Sequence, residues 1–292
     1  MRDSEWLVDR FERRRSHLRA IAYRMLGSLS EADDALQEVW LRLSRSDRSN
    51  VDNLDAWLTT VVGRVCLNRL RSRERRREDL VGVHIPDPII TNEHETDPAQ
   101  EVAMANSIGL ALLVVIETLT PAERVAFVLH DMFGVSFQEI ATMLGRSTAA
   151  ARQLASRARR RVHGEAKVPD ADLRSQWEVV DVFFAAARGG DFERLVTLLD
   201  PDVVLRVDAG LSAMTREVRG AETVAGQALM WSHADLTVQR ALINSAAGVI
   251  SIRDGSPFAV IGLTITGGRI AELDILTDPQ RLATLDLTAF KN

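Results

Sequence analysis

A chain of 292 residues with 46% hydrophobic content can bury two or three packed domains, which excludes an intrinsically disordered tail protein, and its formal net charge of -5 leaves any nucleic-acid binding to local basic patches. The first residues, MRDSEWLVDRFERRR, lack the apolar core of a signal peptide, and the longest apolar stretch, residues 108–116, is too short to cross a bilayer. A single cysteine, Cys66, excludes an intrachain disulfide and fits a buried apolar role, so a cytoplasmic protein in a reducing compartment, without membrane contact, is expected.

Residues 4–77 read as helices. Leu18, Ile21, Ala22, Met25 and Leu26 form one apolar face that breaks at Gly27, and Ser30 opens the next helix with acids near its positive end. That helix buries Ala32, Ala35, Leu36, Val39, Trp40 and Leu43, and leaves Asp34, Gln37, Glu38 and Leu41 on an adjacent face for a partner. A further helix, 52–70, carries Trp57, Val61 and Val65 on its apolar seam and leads into RLRSRERRR, residues 69–77. Arginines packed this densely suit phosphate neutralisation.

Residues 79–98, with Pro86 and Pro88, read as a linker, and Asp97-Pro-Ala-Gln100 should cap a new helix. Thr120-Pro-Ala-Glu123 repeats the device, Gly134 stops that helix, and Ser136 with Glu139 forms another capping box before a short helix ending near Gly145. A last helix begins after Ser147. This is the grammar of a helix-turn-helix, whose second helix would hold Ala151, Ala155, Ala158 and Val162 inward and present Arg152, Gln153, Ser156, Arg157 and Arg160 to DNA. The alanines 149–151 leave sequence readout to few side chains, chiefly Arg152, Gln153 and Arg157.

Beyond a second linker at 164–171 the periodicity changes. Helices over 173–188, 192–199 and 220–230 accompany strands at 203–207, 236–243, 248–252, 258–265 and 269–275, with Gly267-Gly268 as a hairpin turn. The six histidines are dispersed, so no metal site and no cofactor is expected. Asp208, His233, Asp235, Asp254 and Asp274 could be assembled into acid–base chemistry, but the sequence gives neither their burial nor their mutual distances, and no catalytic residue is assigned.

YRMLGSLSEADDALQEVWLRL followed by AWLTTVVGRVCLNRLRSR resembles the second conserved region of bacterial sigma factors of the extracytoplasmic-function group, and TPAERVAFVLHDMFGVSFQEIATMLGRSTAAARQLASRARRRV resembles their fourth. WEVVDVFFAAARGGDFERLVTLLDPDVVLRVDAG is similar to polyketide-cyclase and nuclear-transport-factor domains, and together the regions match the sigma subgroup with a fused domain of that kind. The resemblance implies a multidomain fold class: two all-alpha sigma domains, the second with a helix-turn-helix, plus an alpha+beta cone-shaped NTF2/SnoaL-like domain. Expected boundaries are 1–78, linker 79–98, 99–163, linker 164–171 and 172–292.

By the same resemblance, Asp34, Gln37, Glu38 and Leu41 meet core RNA polymerase; Asn53, Trp57, Arg64, Asn68, Arg69 and Arg71 meet downstream promoter DNA; and Arg152, Gln153, Ser156, Arg157 and Arg160 meet the upstream element. The subgroup carries a Trp-Leu-Pro-Glu-Pro linker motif, matched here by residues 84–88, which keep Pro86, Asp87 and Pro88 but not the tryptophan. Its Asp-Gly-Gly-Gly-Lys motif keeps Asp208 and Gly210, and its Asn-Pro-Asp-Lys-Leu motif falls on Asp278, Pro279 and Leu282. These eight residues are the expected regulatory contact, in which the fused domain touches the linker and no dedicated anti-sigma factor is required. A small-ligand pocket in the C-terminal domain stays open, as do two other classes of function: a one-component helix-turn-helix regulator, and a hydrolase, isomerase or cyclase with helical accessory domains.

Overall fold

The computed structural model describes residues 2–45, 53–76, 83–92, 109–210, 216–232 and 236–290. The expected cap at Asp97, residues 46–52 of the first loop, and His233 and Asp235 lie outside them. The described residues fall into two compact units, one drawn from 1–81 and 115–165, the other from 82–114 and 166–292.

The first unit is helical. Helices α1 (Arg2–Leu26), α2 (Leu29–Arg45) and α3 (Leu54–Arg76) bury Leu18, Ile21, Met25, Leu36, Val39, Leu58 and Leu67. Gly27, at φ 69°, closes α1 in a left-handed conformation. Helix α3 continues through the arginine run to Arg76, as its sequence leads one to expect, because arginine, serine and glutamate sustain a helix and no glycine or proline interrupts them. Helix α4 (Leu110–Glu117) begins in the second unit and ends in the first, which continues with α5 (Pro121–Phe127) and a π-helical turn (Val128–Met132), α6 (Phe137–Leu144) and α7 (Thr148–Glu165). Both expected capping boxes form: Thr120 Oγ1 accepts from the Glu123 amide at 3.4 Å and Ser136 Oγ from the Glu139 amide at 3.3 Å, each glutamate answering to the cap's own N–H. The π-helical turn carries no signal in the sequence.

The two helical regions pack within this one unit. Gly63 of α3 lies so close to the helix-turn-helix that a Cβ would stand 2.5 Å from Met143 Sδ and 3.1 Å from Leu129. Arg124, 2% exposed, pairs with Glu117 at 2.7 Å and donates to the Met25 carbonyl at 2.9 Å. Phe133 meets the Arg24 guanidinium at 4.8 Å on its face, and its ring stands edge-on to His17 at 5.3 Å.

The second unit sets helices α8 (Leu173–Gly189), α9 (Phe192–Leu198) and α10 (Ala221–Ser232) against a curved, open sheet. Its strands are β1 (Ile90–Thr91), β2 (Leu199–Asp208), β3 (Arg216–Arg219), β4 (Thr237–Ile243), β5 (Ala246–Arg253), β6 (Ser256–Thr266) and β7 (Arg269–Leu276), in the order β1-β4-β5-β6-β7-β2-β3. Only β2 and β7 pair in parallel among the described strands. One face of the sheet carries Val203, Leu205, Val207, Val249, Leu263 and Leu273 into a core with Trp177, Phe183 and Leu195. At the β6–β7 hairpin, Gly267 and Gly268 take φ 60° and 72°, and both their amides donate to Asp170 at 2.9 Å.

The alternation of β2 sends Arg206 and Asp208 to the opposite face from Leu205 and Val207. There Arg206 reaches Asp274 at 3.1 Å, Glu272 at 3.4 Å and Glu217 at 3.5 Å. Burial pushes the Asp274 carboxyl up to about 6, against the pull of Arg206 and with help from the charges of Glu272 and Glu217. The folded chain therefore holds this proton more tightly than the unfolded chain, so the group lowers stability as pH rises from about 4 to about 6 and contributes a constant on either side. Asp274→Asn is expected to remove that decline, about 3 kcal/mol at most, in urea denaturation followed across the same pH range.

A short helix, α11 (Pro279–Leu282), and a 3₁₀ turn (Thr288–Phe290) complete the second unit. Among the described residues, no helix is long and apolar enough to cross a membrane.

Candidate functional site

Three helical surfaces of the first unit hold the residues expected to meet polymerase and DNA. On α2, Ala32, Ala35, Leu36, Val39 and Leu43 are buried, which turns Asp34, Gln37 and Leu41 outward with Glu38 half-buried beside them. Leu41 is 50% exposed, an uncovered apolar side chain within an acidic face. Glu38 accepts from Arg42 at 2.6 Å, and Arg69 of α3 reaches over to Glu38 at 3.6 Å and Asp34 at 3.9 Å. Arg69, assigned to DNA from the sequence, thus also lies in the field of the α2 acids.

On α3, Arg64, Asn68 and Arg71 are exposed at i, i+4 and i+7 and share one face. Trp57 is half-buried. Asn53 spends its carboxamide oxygen on the Ala56 amide at 3.1 Å, holding the first turn of the helix. Arg73 is drawn away from solvent by Glu31 and by the Leu26 carbonyl at 2.8 Å. Cys66, on the inner side, is fully buried, and burial pushes its thiol up to about 12, so it stays protonated and unreactive.

On α7, Ala151, Leu154, Ala155, Ala158 and Val162 are buried while Arg152, Gln153, Ser156, Arg157 and Arg160 are exposed. The Arg152 guanidinium rests 5.7 Å from the Phe137 ring, which steadies it at the helix entrance. Arg159 and Arg161 are engaged otherwise, with Asp131 at 2.9 Å and with the Thr118 carbonyl at 3.2 Å.

The densest polar constellation lies in the second unit. Residues 85–88 are buried against the α+β fold. Asp208, at the end of β2, accepts from the Ile85 amide at 2.9 Å and the Gly210 amide at 3.1 Å, with His84 Nδ1 at 3.4 Å. Arg281 closes the arrangement: its guanidinium donates to Asp208 at 2.6 Å, to Asp87 at 2.5 Å and to the Ile85 carbonyl at 2.6 Å. Burial opposes ionisation of Asp208, yet the contacts from His84, Ile85, Arg281 and Gly210 hold its carboxyl below the usual range. Asp278 caps α11 through the Gln280 amide at 2.9 Å and lies against Gly210, which stands at φ 75°. Pro279 is the first residue of α11 and Leu282 is buried.

Downstream in the linker, Ile89 and Asn244 exchange two hydrogen bonds of 3.0 and 2.8 Å, and β1 pairs with β4. Arg281, His84 and Asn244 were not among the sequence-derived candidates. The signal for Arg281 was present, because it occupies the lysine position of the five-residue motif and keeps its positive charge. Of the acids considered for catalysis, Asp208 and Asp274 are committed to arginines and Asp254 sits in a turn at φ 50°. Among the described residues no group of His, Cys, Asp or Glu is arranged to hold a metal ion.

Known proteins resemble this chain over most of its length. Residues 10–76 match the family model for sigma-70 region 2, and residues 109–162 match that for sigma-70 region 4. The chain is 45% identical over 220 residues to the ECF RNA polymerase sigma factor SigJ of Mycobacterium tuberculosis, covering 74% of this chain and 70% of that one. It is 34% identical to the probable ECF RNA polymerase sigma factor SigI of the same species, over 93% of both chains. The crystal structure of the M. tuberculosis sigma factor SigJ superposes with a TM-score of 0.74 at 36% identity, covering 96% of this chain and 99% of that one.

Proposed function

Because this chain belongs to the extracytoplasmic-function (ECF) sigma factors, which bind core RNA polymerase and direct transcription initiation, we propose that its SnoaL/NTF2-like domain modulates initiation by gripping the linker between the two promoter-binding regions. The observation that carries this reading is the clasp of Asp87, Asp208 and Arg281, which ties residues 84–88 to the α+β fold at both carboxylates and at the Ile85 backbone. A tether held at one point has less reach than a free one, so the clasp changes the effective concentration of each promoter contact for the other. Restraint supplied within the chain needs no dedicated anti-sigma partner.

On this reading residues 1–78 and 99–163 carry the two promoter contacts. Asp34, Gln37, Glu38 and Leu41 form the polymerase surface, supported by an exposed leucine among acids. Arg64, Asn68, Arg69 and Arg71, with Asn53 and Trp57 at the helix start, face downstream DNA; the exposed row on α7 faces the upstream element. The test is promoter-specific initiation by purified core polymerase supplied with the full-length chain or with its Arg281→Ala form. A changed initiation rate at equal polymerase affinity supports the clasp as the control element; identical initiation rules it out. Charge reversal in Asp34→Arg is expected to weaken polymerase association about tenfold while sparing binding of the promoter duplex by α7, and replacing Arg152 and Arg157 by alanine to lower the salt slope of that binding by about 2.

A further inference from the structure

The second unit encloses a cavity of about 360 Å³ between α8, α10 and the inner face of the sheet, a size suited to a small organic molecule. Its walls are largely aromatic and aliphatic, with Phe184, Trp231, Phe258, Val238 and Ile261 among them. Trp231 and Phe258 stand 6.5 Å apart, and Trp231 is 44% exposed. Two arginines interrupt this surface: Arg188, from the end of α8, and Arg216, the first residue of β3.

Arg188 is exposed, whereas Arg216 is half-buried and differs in its setting from the other partly buried arginines of this unit. The other partly buried arginines of the unit, Arg206 and Arg281, each hold two or more carboxylates. Arg216, half-buried on the cavity wall, donates instead to the neutral Gln227 carbonyl at 2.6 Å, and among the described residues no carboxylate lies within ion-pair distance of it or of Arg188. A guanidinium in an apolar cavity that is anchored by an amide keeps donors for an anion. Among the described lining residues there is a recognition group for an anion and no carboxylate, imidazole or thiol.

We propose that this cavity binds an aromatic or alicyclic carboxylate, with its apolar body against the aromatic wall that includes Trp231 and Phe258 and the carboxylate on Arg216. The site goes beyond the linker clasp and its test is independent of it. Isothermal titration of the full-length chain with 2-naphthoate, and with 2-naphthamide as a neutral compound of the same shape, is expected to give one site per chain and about a tenfold preference for the anion. Arg216→Met should erase the preference while leaving the amide's affinity unchanged, and Ala228→Phe, which fills the cavity from the half-exposed side of α10, should remove binding of both compounds with an unaltered melting curve. No binding of naphthoate up to millimolar concentration, equal binding of acid and amide, or a preference that survives Arg216→Met would each overturn the proposal. Should Ala228→Phe unfold the chain, the Arg216→Met comparison decides alone.

Discussion

Arg281→Ala is expected to release residues 83–92 from the α+β fold and to accelerate amide exchange at Ile85 by roughly a hundred- to several thousandfold. The Ile85 amide is protected because its acceptor, Asp208, is held in place by the guanidinium 2.6 Å away, and the same guanidinium holds Asp87 at 2.5 Å. Asp87 and Asp208 are 5% and 3% exposed, so removing the cation leaves two buried carboxylates without their guanidinium. Deleting one partner of a buried ion pair costs about 3–5 kcal/mol, which sets the range of the exchange effect. The linker can relieve that cost by detaching, so the loss should appear at Ile85 and Ile89 and leave the strands β5 and β6 protected. Arg281→Lys keeps the charge but cannot bridge two carboxylates and a carbonyl in one plane, and should fall between. The clasp's pH range follows from the depressed Asp208 carboxyl: its stabilisation is complete above the unfolded value of about 4 and disappears only as pH falls through the lower folded value. Unchanged exchange at Ile85 in the alanine variant would show that other contacts hold the linker.

Arg124→Leu should cost the first unit about 3–5 kcal/mol, read as a lower urea midpoint. This side chain lies in the middle of α5 and is almost fully buried, with three short hydrogen bonds: to the Glu117 carboxylate, to the Glu117 carbonyl and, from the helix-turn-helix region back to the end of α1, to the Met25 carbonyl. Leucine restores volume but leaves the carboxylate without its guanidinium and two carbonyls without this donor. A companion Glu117→Leu change in the same chain should recover much of the loss, since an apolar pair often replaces a buried ion pair at little cost. A double variant as unstable as the single one would assign the cost to the two carbonyls.

The sequence was most legible where one residue type answers one backbone need. The boxes at Thr120 and Ser136 and the left-handed glycines at 134 and 145 are local devices whose grammar does not depend on the rest of the fold. The inward and outward faces of α7 follow likewise from helical spacing. What stayed hidden depends on distant partners. Strand β1 is two residues long in a proline-bearing stretch, and it exists because β4 supplies an edge and Asn244 two hydrogen bonds. Strand β3, Arg-Glu-Val-Arg, has a single apolar residue and no alternation to betray it. Gly63 looks like a helix-weakening residue until Met143 is seen above it. Arg281 was missed because the motif was compared by identity, where the charge was what carried over.

The clasp also has a history within each molecule's synthesis. Asp87 and Arg281 are separated by 194 positions, with the helix-turn-helix between them. At ribosomal speeds of about 5–20 residues per second, roughly 10–40 s pass between the appearance of the acid and that of its cation. Both helical regions are thus complete while the tether is still unrestrained, and a newborn chain meets the cell as an unclasped sigma factor before it becomes a clasped one.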